Sequence, residues 1–98
     1  MKDILKLMSK AFDSRVRIAL MSVLLTSGDW VDFNDLKAML GVTDGNMASH
    51  IQALENRKFI EVRKRFIEKR PNTSYRITEE GKIALNKHVN ALRQLLKI

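Results

Sequence analysis

The chain has 98 residues, the size of one domain with a hydrophobic core of its own, and no Cys, which excludes disulfides, thiolate metal sites and thiol redox switching. Its 18 Lys and Arg outnumber 11 Asp and Glu, leaving a formal net charge of +7 that points toward a polyanionic partner.

The opening segment MKDILKLMSKAF mixes charged and apolar residues at helical spacing, so it reads as a helix over 2–12, with Ile4, Leu5, Met8 and Phe12 on one stripe, and not as a secretory signal. No apolar run approaches the ~18 residues of a membrane span, and the expected compartment is a reducing cytoplasm. A second helix is expected from about Ser14 to Thr26, capped by Asp13 or Ser14 and stopped by Ser27-Gly28-Asp29. Trp30-Val31 reads as a short extended piece, followed by a helix over Phe33–Leu40 capped by Asp32. Gly41-Val42-Thr43 makes a tight turn, with Gly41 suited to the left-handed position after a helix end. Thr43 then caps a helix from Asp44 to about Arg57, whose Met47, Ile51 and Leu54 form a buried stripe. Two strands follow, about 59–67 and 74–78, because Ile60, Val62, Tyr75 and Ile77 alternate with polar residues. The segment EKRPNT between them carries a Pro71-Asn72 turn signal. Thr78 caps a last helix over 79–98, with Glu79 and Glu80 in its positive first turn.

No repeat, linker or low-complexity segment interrupts this order, so residues 1–98 read as a single α+β domain, mostly helical. Within it, residues 33–57 have the form of a helix-turn-helix: a short helix, a three-residue turn containing Gly, and a second helix locked on the first by Leu36, Leu40, Val42, Met47, Ile51 and Leu54. At 100° per residue the opposite face of the second helix presents Gly45, Ser49, Gln52 and Asn56, with Asn46 beside them and His50 on the flank. These are small, hydroxyl and amide residues instead of a Lys/Glu solvation layer, and such groups read base edges in a groove. Thr43 and its neighbours stand at a helix N-terminus, where free N–H groups favour a phosphate. Asp44 repels phosphate; accepting from a cytosine amine and serving the helix alone both stay open for it.

Charge is uneven along the chain. Residues 57–76 hold eight Lys and Arg against Glu61 and Glu68, a net +6, whereas residues 29–48 carry a net −3. Directly after a helix-turn-helix, the basic hairpin over 59–78 becomes a wing. Lys64, Arg65, Lys69 and Arg70 can reach phosphates, and the tip can enter a minor groove. Release of counterions onto phosphate relieves the repulsion that such an arm carries.

The stretches SRVRIALMSVLL, DFNDLKAMLGVTDGNMASHIQALENRKFIEVRKRF and KRPNTSYRITEEGKIAL cover most of the chain from Ser14 onward. Through them the sequence resembles small prokaryotic winged helix-turn-helix transcriptional regulators related to the MarR, ArsR and PadR groups. The resemblance implies a winged helix, with the helix from Asp44 as recognition helix and the region of Arg70, Asn72 and Thr73 as wing tip. It implies a repressor-like dimer on double-stranded DNA. The lack of Cys and of clustered His departs from the ArsR pattern and argues against metal sensing.

In the last helix Leu85, Val89, Leu92 and Leu96 repeat at 4-3-4 spacing, and Ile4 and Met8 of the first helix can add to that seam. The long C-terminal helix is therefore expected to dimerise with the N-terminal one as a second element, and a small-molecule effector, if the protein has one, belongs at that interface. No metal or cofactor is expected. Catalysis is not expected either: His50 and His88 are far apart, Ser49 and His50 diverge on their helix, and no phosphate-cradling Gly loop is present. The alternatives to DNA are an acidic protein or a structured RNA on the same basic surface.

Overall fold

A computed structural model describes residues 1–98. The elements in chain order are α1 (Lys2–Lys6), a 3-10 turn (Lys10–Phe12), α2 (Arg15–Ser27), β1 (Val31–Asp32), α3 (Phe33–Leu40), α4 (Asp44–Asn56), β2 (Ile60–Ile67), β3 (Arg70–Ile77) and α5 (Glu79–Leu96). The strands form one antiparallel sheet in the order β1-β3-β2. With α3, α4 and the β2–β3 hairpin this is a winged helix, extended by a long C-terminal helix.

Thirteen buried residues form the core, including Leu20, Met21 and Leu24 of α2, Leu36 of α3, Met47, Ile51 and Leu54 of α4, and Ile60, Tyr75 and Ile77 of the sheet. The α4 set lies at i, i+4 and i+7, one stripe of the helix. Truncation of such a residue, as in Leu54→Ala, costs about 2–5 kcal/mol.

Capping fixes the helix starts. Ser14 Oγ accepts from Arg17 N, Thr43 Oγ1 from Asn46 N at 3.2 Å, and Thr78 Oγ1 from Gly81 N at 2.9 Å. Gly28 and Gly41 close α2 and α3 with φ of 66° and 63°, the left-handed conformation glycine tolerates best. Gly81 answers a different need. A Cβ there would stand 2.2 Å from the Phe59 carbonyl oxygen, so only glycine lets the first turn of α5 close against the start of the hairpin.

Four expectations change. The helix over 2–12 is broken after Lys6: Ser9 Oγ accepts from Ala11 N, and Ser9 N donates to the buried His88 Nδ1, so the chain turns and sends Phe12 into the core. Phe12 stacks on Phe59 at 5.6 Å and meets His88 edge-on at 5.1 Å. Asp32 stands before α3 without a side-chain capping bond. The predicted six-residue connection EKRPNT shrinks to two residues, Glu68 and Lys69, both left-handed at φ 51° and 66°. Pro71 and Asn72 are not the turn; they lie inside β3, paired with Phe66 and Arg65. Finally, Leu85 does not belong to an outward seam. It is 4% exposed and part of the protomer's own core, and Val89 packs against that core.

Candidate nucleic-acid interface

The face of α4 opposite its core stripe is open. Thr43, Asp44, Gly45, Asn46, Ser49 and Gln52 are all exposed, and His50 is half-buried on the flank. The N–H groups of Asp44 and Gly45 have no intrahelical acceptor, while that of Asn46 is taken by Thr43. Gly45 has no positive φ, and a Cβ built on it meets nothing within 4 Å. Neither the backbone nor the protein's own packing requires glycine there.

Besides Thr43, three of these side chains are engaged locally. Asp44 is paired with Lys37 of α3 at 2.6 Å, which offsets the negative charge at the α4 N-terminus. Gln52 donates to Asn56 Oδ1 at 3.0 Å, one turn on. His50 Nδ1 accepts from Arg17 Nε of α2 at 3.1 Å. Burial, and then the Arg17 guanidinium, hold the His50 pKa below the ordinary histidine value of 6.5.

The α4 helix runs directly into the hairpin and packs against β2. Beyond the two β3 residues that β1 covers, the hairpin continues as a free two-stranded arm. Strand alternation divides its side chains between two faces. Ile60, Val62, Tyr75 and Ile77 cover the core, and the same face continues outward with Lys64, Thr73, Phe66 and Pro71. Phe66 is 76% exposed. Asp32, Phe33 and Asn34, around the start of α3, line a shallow groove together with Lys64, Pro71 and Thr73.

The other face carries Glu61, Arg63, Arg65, Arg70, Asn72, Ser74 and Arg76. Two of its arginines are structural. The guanidinium carbons of Arg63 and Arg76 each stand 4.5 Å from the Trp30 ring centroid. Arg63 Nε also donates to Ser74 Oγ, and Arg76 pairs with Glu61 at 2.8 Å. Arg65 Nε donates to Asn72 Oδ1 at 3.4 Å across the strands.

The sequence-predicted wing residues therefore separate. Lys69 occupies the turn and Arg70 is beside it. Lys64 and Arg65 lie midway along the arm, exposed, on opposite faces. Asn72 and Thr73 are half-buried strand residues, so the tip is Glu68-Lys69 and not Arg70, Asn72 and Thr73 together. Sequence reasoning missed the roles of Trp30, Arg63, Arg76 and Phe66. Trp30 carried a signal, as a lone Trp beside a cationic sheet, but the register that brings it to Arg63 and Arg76 is not visible in spacing.

The six seam residues also divide. Ile4 and Met8 are half-buried, Leu85 and Val89 belong to the protomer, and Leu92 and Leu96 are 37% and 56% exposed.

Residues 16–96 match the winged helix DNA-binding domain family. The chain belongs to that family. It is 36% identical over 88 residues to an uncharacterized protein of Methanocaldococcus jannaschii, a match covering 90% of this chain and 95% of that one. The structure is similar to that of a transcriptional regulator homologue from Pyrococcus horikoshii OT3, with a TM-score of 0.84 at 29% identity, covering 98% of this chain and 92% of the other. It is also similar to the putative transcriptional regulator ytfH of Salmonella typhimurium, with a TM-score of 0.72 at 26% identity over 90% and 76% of the two chains. Family and fold are those of DNA-binding transcriptional regulators, which are not enzymes. No helix is long and apolar enough to cross a membrane.

Proposed function

We propose that this winged-helix protein is a cytoplasmic homodimer that binds a specific double-stranded DNA sequence and represses transcription. The reading gives α4 the major groove, where Asn46, Ser49 and Gln52 meet base edges and Gly45 permits close approach. Thr43 and Asp44 stand at the phosphate end of that helix, with Asp44 held by Lys37 as a helix residue. Lys64, Arg65, Lys69 and Arg70 of the wing neutralise phosphates, and Asn72 and Thr73 support the arm from inside β3. Phe66 and Pro71 give the arm an apolar strip that fits sugar and base-step surface better than phosphate. A small-molecule effector, in this reading, sits between the two copies.

One observation carries the proposal: a glycine that neither the fold nor the packing needs stands in the open first turn of a helix whose outward face, past Asp44, is small or amide-bearing. Selection of bound sequences from a random duplex pool tests it. The expected result is a two-fold-symmetric motif with half-sites about one DNA turn apart. Failure to retain any duplex at low salt, or enrichment without symmetry, counts against the DNA reading or the dimer respectively.

A further inference from the structure

Arg17 belongs to α2, outside the helix-turn-helix and outside the wing. It is half-buried, and its Nε donates to His50 Nδ1 across 33 residues of sequence at 3.1 Å. This bond fixes the chemistry of the imidazole. A guanidinium has no acceptor, so Nδ1 must be the unprotonated nitrogen and the neutral ring must carry its proton on Nε2. His50 Nε2 makes no bond within the protein, and no side-chain nitrogen or oxygen of a buried or half-buried residue is left buried without a partner. Nε2 therefore reaches solvent as a donor, on the flank of α4 next to Ser49 and one turn from Asn46.

We infer that Arg17 is a positioning residue for DNA recognition. It selects the Nε2–H form of His50 and holds the ring, so that the flank of α4 offers a donor of fixed direction to a base-edge acceptor or a phosphate oxygen. The arrangement follows the logic by which a second group sets the tautomer and orientation of a histidine that does the work. It also joins α2 to α4, so the contact made by His50 is registered against the core and not only against its own helix. This inference rests on the DNA reading given above and adds to it a residue that no helix-turn-helix pattern singles out.

The test uses the full chain with a duplex recovered by selection and a random duplex of the same length. In the free protein, long-range nitrogen-15 NMR should show His50 as the Nε2–H tautomer near neutral pH. Arg17→Gln should mix the tautomers. Binding of the selected duplex by Arg17→Gln should fall about tenfold relative to random DNA, with little change in thermal midpoint. In a His50→Ala background, adding Arg17→Gln should change the specific-to-random ratio no further, because the arginine acts through the ring. Arg17→Lys, whose ammonium is likewise a donor with no acceptor, should keep the Nε2–H form and lose less of the specific-to-random ratio than Arg17→Gln.

An Nδ1–H tautomer in the native protein overturns the inference without recourse to any variant. So do losses by the two residues that add independently, or an Arg17→Gln protein that binds normally. Native protein that binds no duplex at all instead defeats the underlying DNA reading and leaves the NMR result to decide whether the tautomer assignment stands.

Discussion

Gly45 separates what a residue does for the fold from what it does for a partner. A glycine in a helix costs about 0.5–1 kcal/mol relative to Ala, and here nothing internal explains it, since its φ is ordinary and its Cβ position is empty. Gly45→Ala is therefore expected to raise the unfolding free energy by up to about 1 kcal/mol in urea titrations. The same methyl should lower affinity for the selected duplex about tenfold, by holding α4 away from the groove floor. A variant that is stabilised and binds as before would remove Gly45 from the interface. His50 yields a prediction of a different kind. Its folded pKa lies below 6.5, through burial first and Arg17 second, whereas the unfolded chain takes up the proton near 6.5. Where the unfolded state binds more protons, stability falls as pH falls. The contribution is flat above the unfolded value and turns destabilising below it, continuing until the folded ring also protonates. Urea midpoints of the native protein and His50→Gln should run parallel above about pH 7 and diverge below about pH 6, with the native protein losing more. Parallel curves throughout would mean that the ring is not held neutral.

At the scale of the element, the wing shows where sequence reasoning reaches and where it stops. The inward set Ile60, Val62, Tyr75 and Ile77 was legible, because a strand with one face on a core alternates. The turn was not. Pro71-Asn72 is a turn signal on chemistry alone, yet the register pairs Phe66 with Pro71 next to a two-residue connection. Ladder alternation makes that a non-hydrogen-bonded pair, so the missing proline N–H faces the open edge of β3, where it costs no bond. The actual turn residues, Glu68 and Lys69, are poor ones for two successive left-handed positions, which favour Asn-Gly. Charge is kept at the tip at the expense of turn chemistry, which is what a contact role for Lys69 requires. Glu68→Asn and Lys69→Gly should each stabilise the protein by about 0.5–1 kcal/mol. They should part on DNA: the first tightens binding by removing a negative charge, the second weakens it by removing a phosphate contact. Thermal midpoints and binding isotherms of the two variants check this, and a loss of binding in both would make the tip conformation, not its charge, the important feature. The α1 break was hidden for a related reason. Its cause is a hydrogen bond from Ser9 to His88, 79 residues away, and no window along the chain contains both.

For the whole molecule, the open matter is what covers its two ends. The α4 face, Thr43's cap and the Gly41 turn were readable because each is local, and the core followed from them. The terminal seam does not stay whole: α1 packs against α5 within the protomer, Leu85 turns inward, and the apolar residues left outside at the two ends are Met1, Leu5, Leu7, Leu92, Leu96 and Ile98, with Ile83 near the start of α5. A protein with a net charge of +7 gains nothing in solubility from such residues, and their clustering on the two terminal helices suits a second copy related by a two-fold axis. Leu92 and Leu96 are the residues on which to test this, because neither is in the core and charge there leaves the protomer intact. The double variant Leu92→Glu, Leu96→Glu should keep the native circular dichroism spectrum and sediment as a monomer. On the selected duplex its affinity should fall by roughly 10²–10⁴, the advantage lost when two linked sites become independent. The dependence of log K on log salt should drop to about half its native slope, because each protomer brings its own set of phosphate contacts and the slope counts them. A native protein that is already monomeric while binding a symmetric site, or a double variant whose salt slope is unchanged, would place the two-fold relation in the DNA and not in the protein.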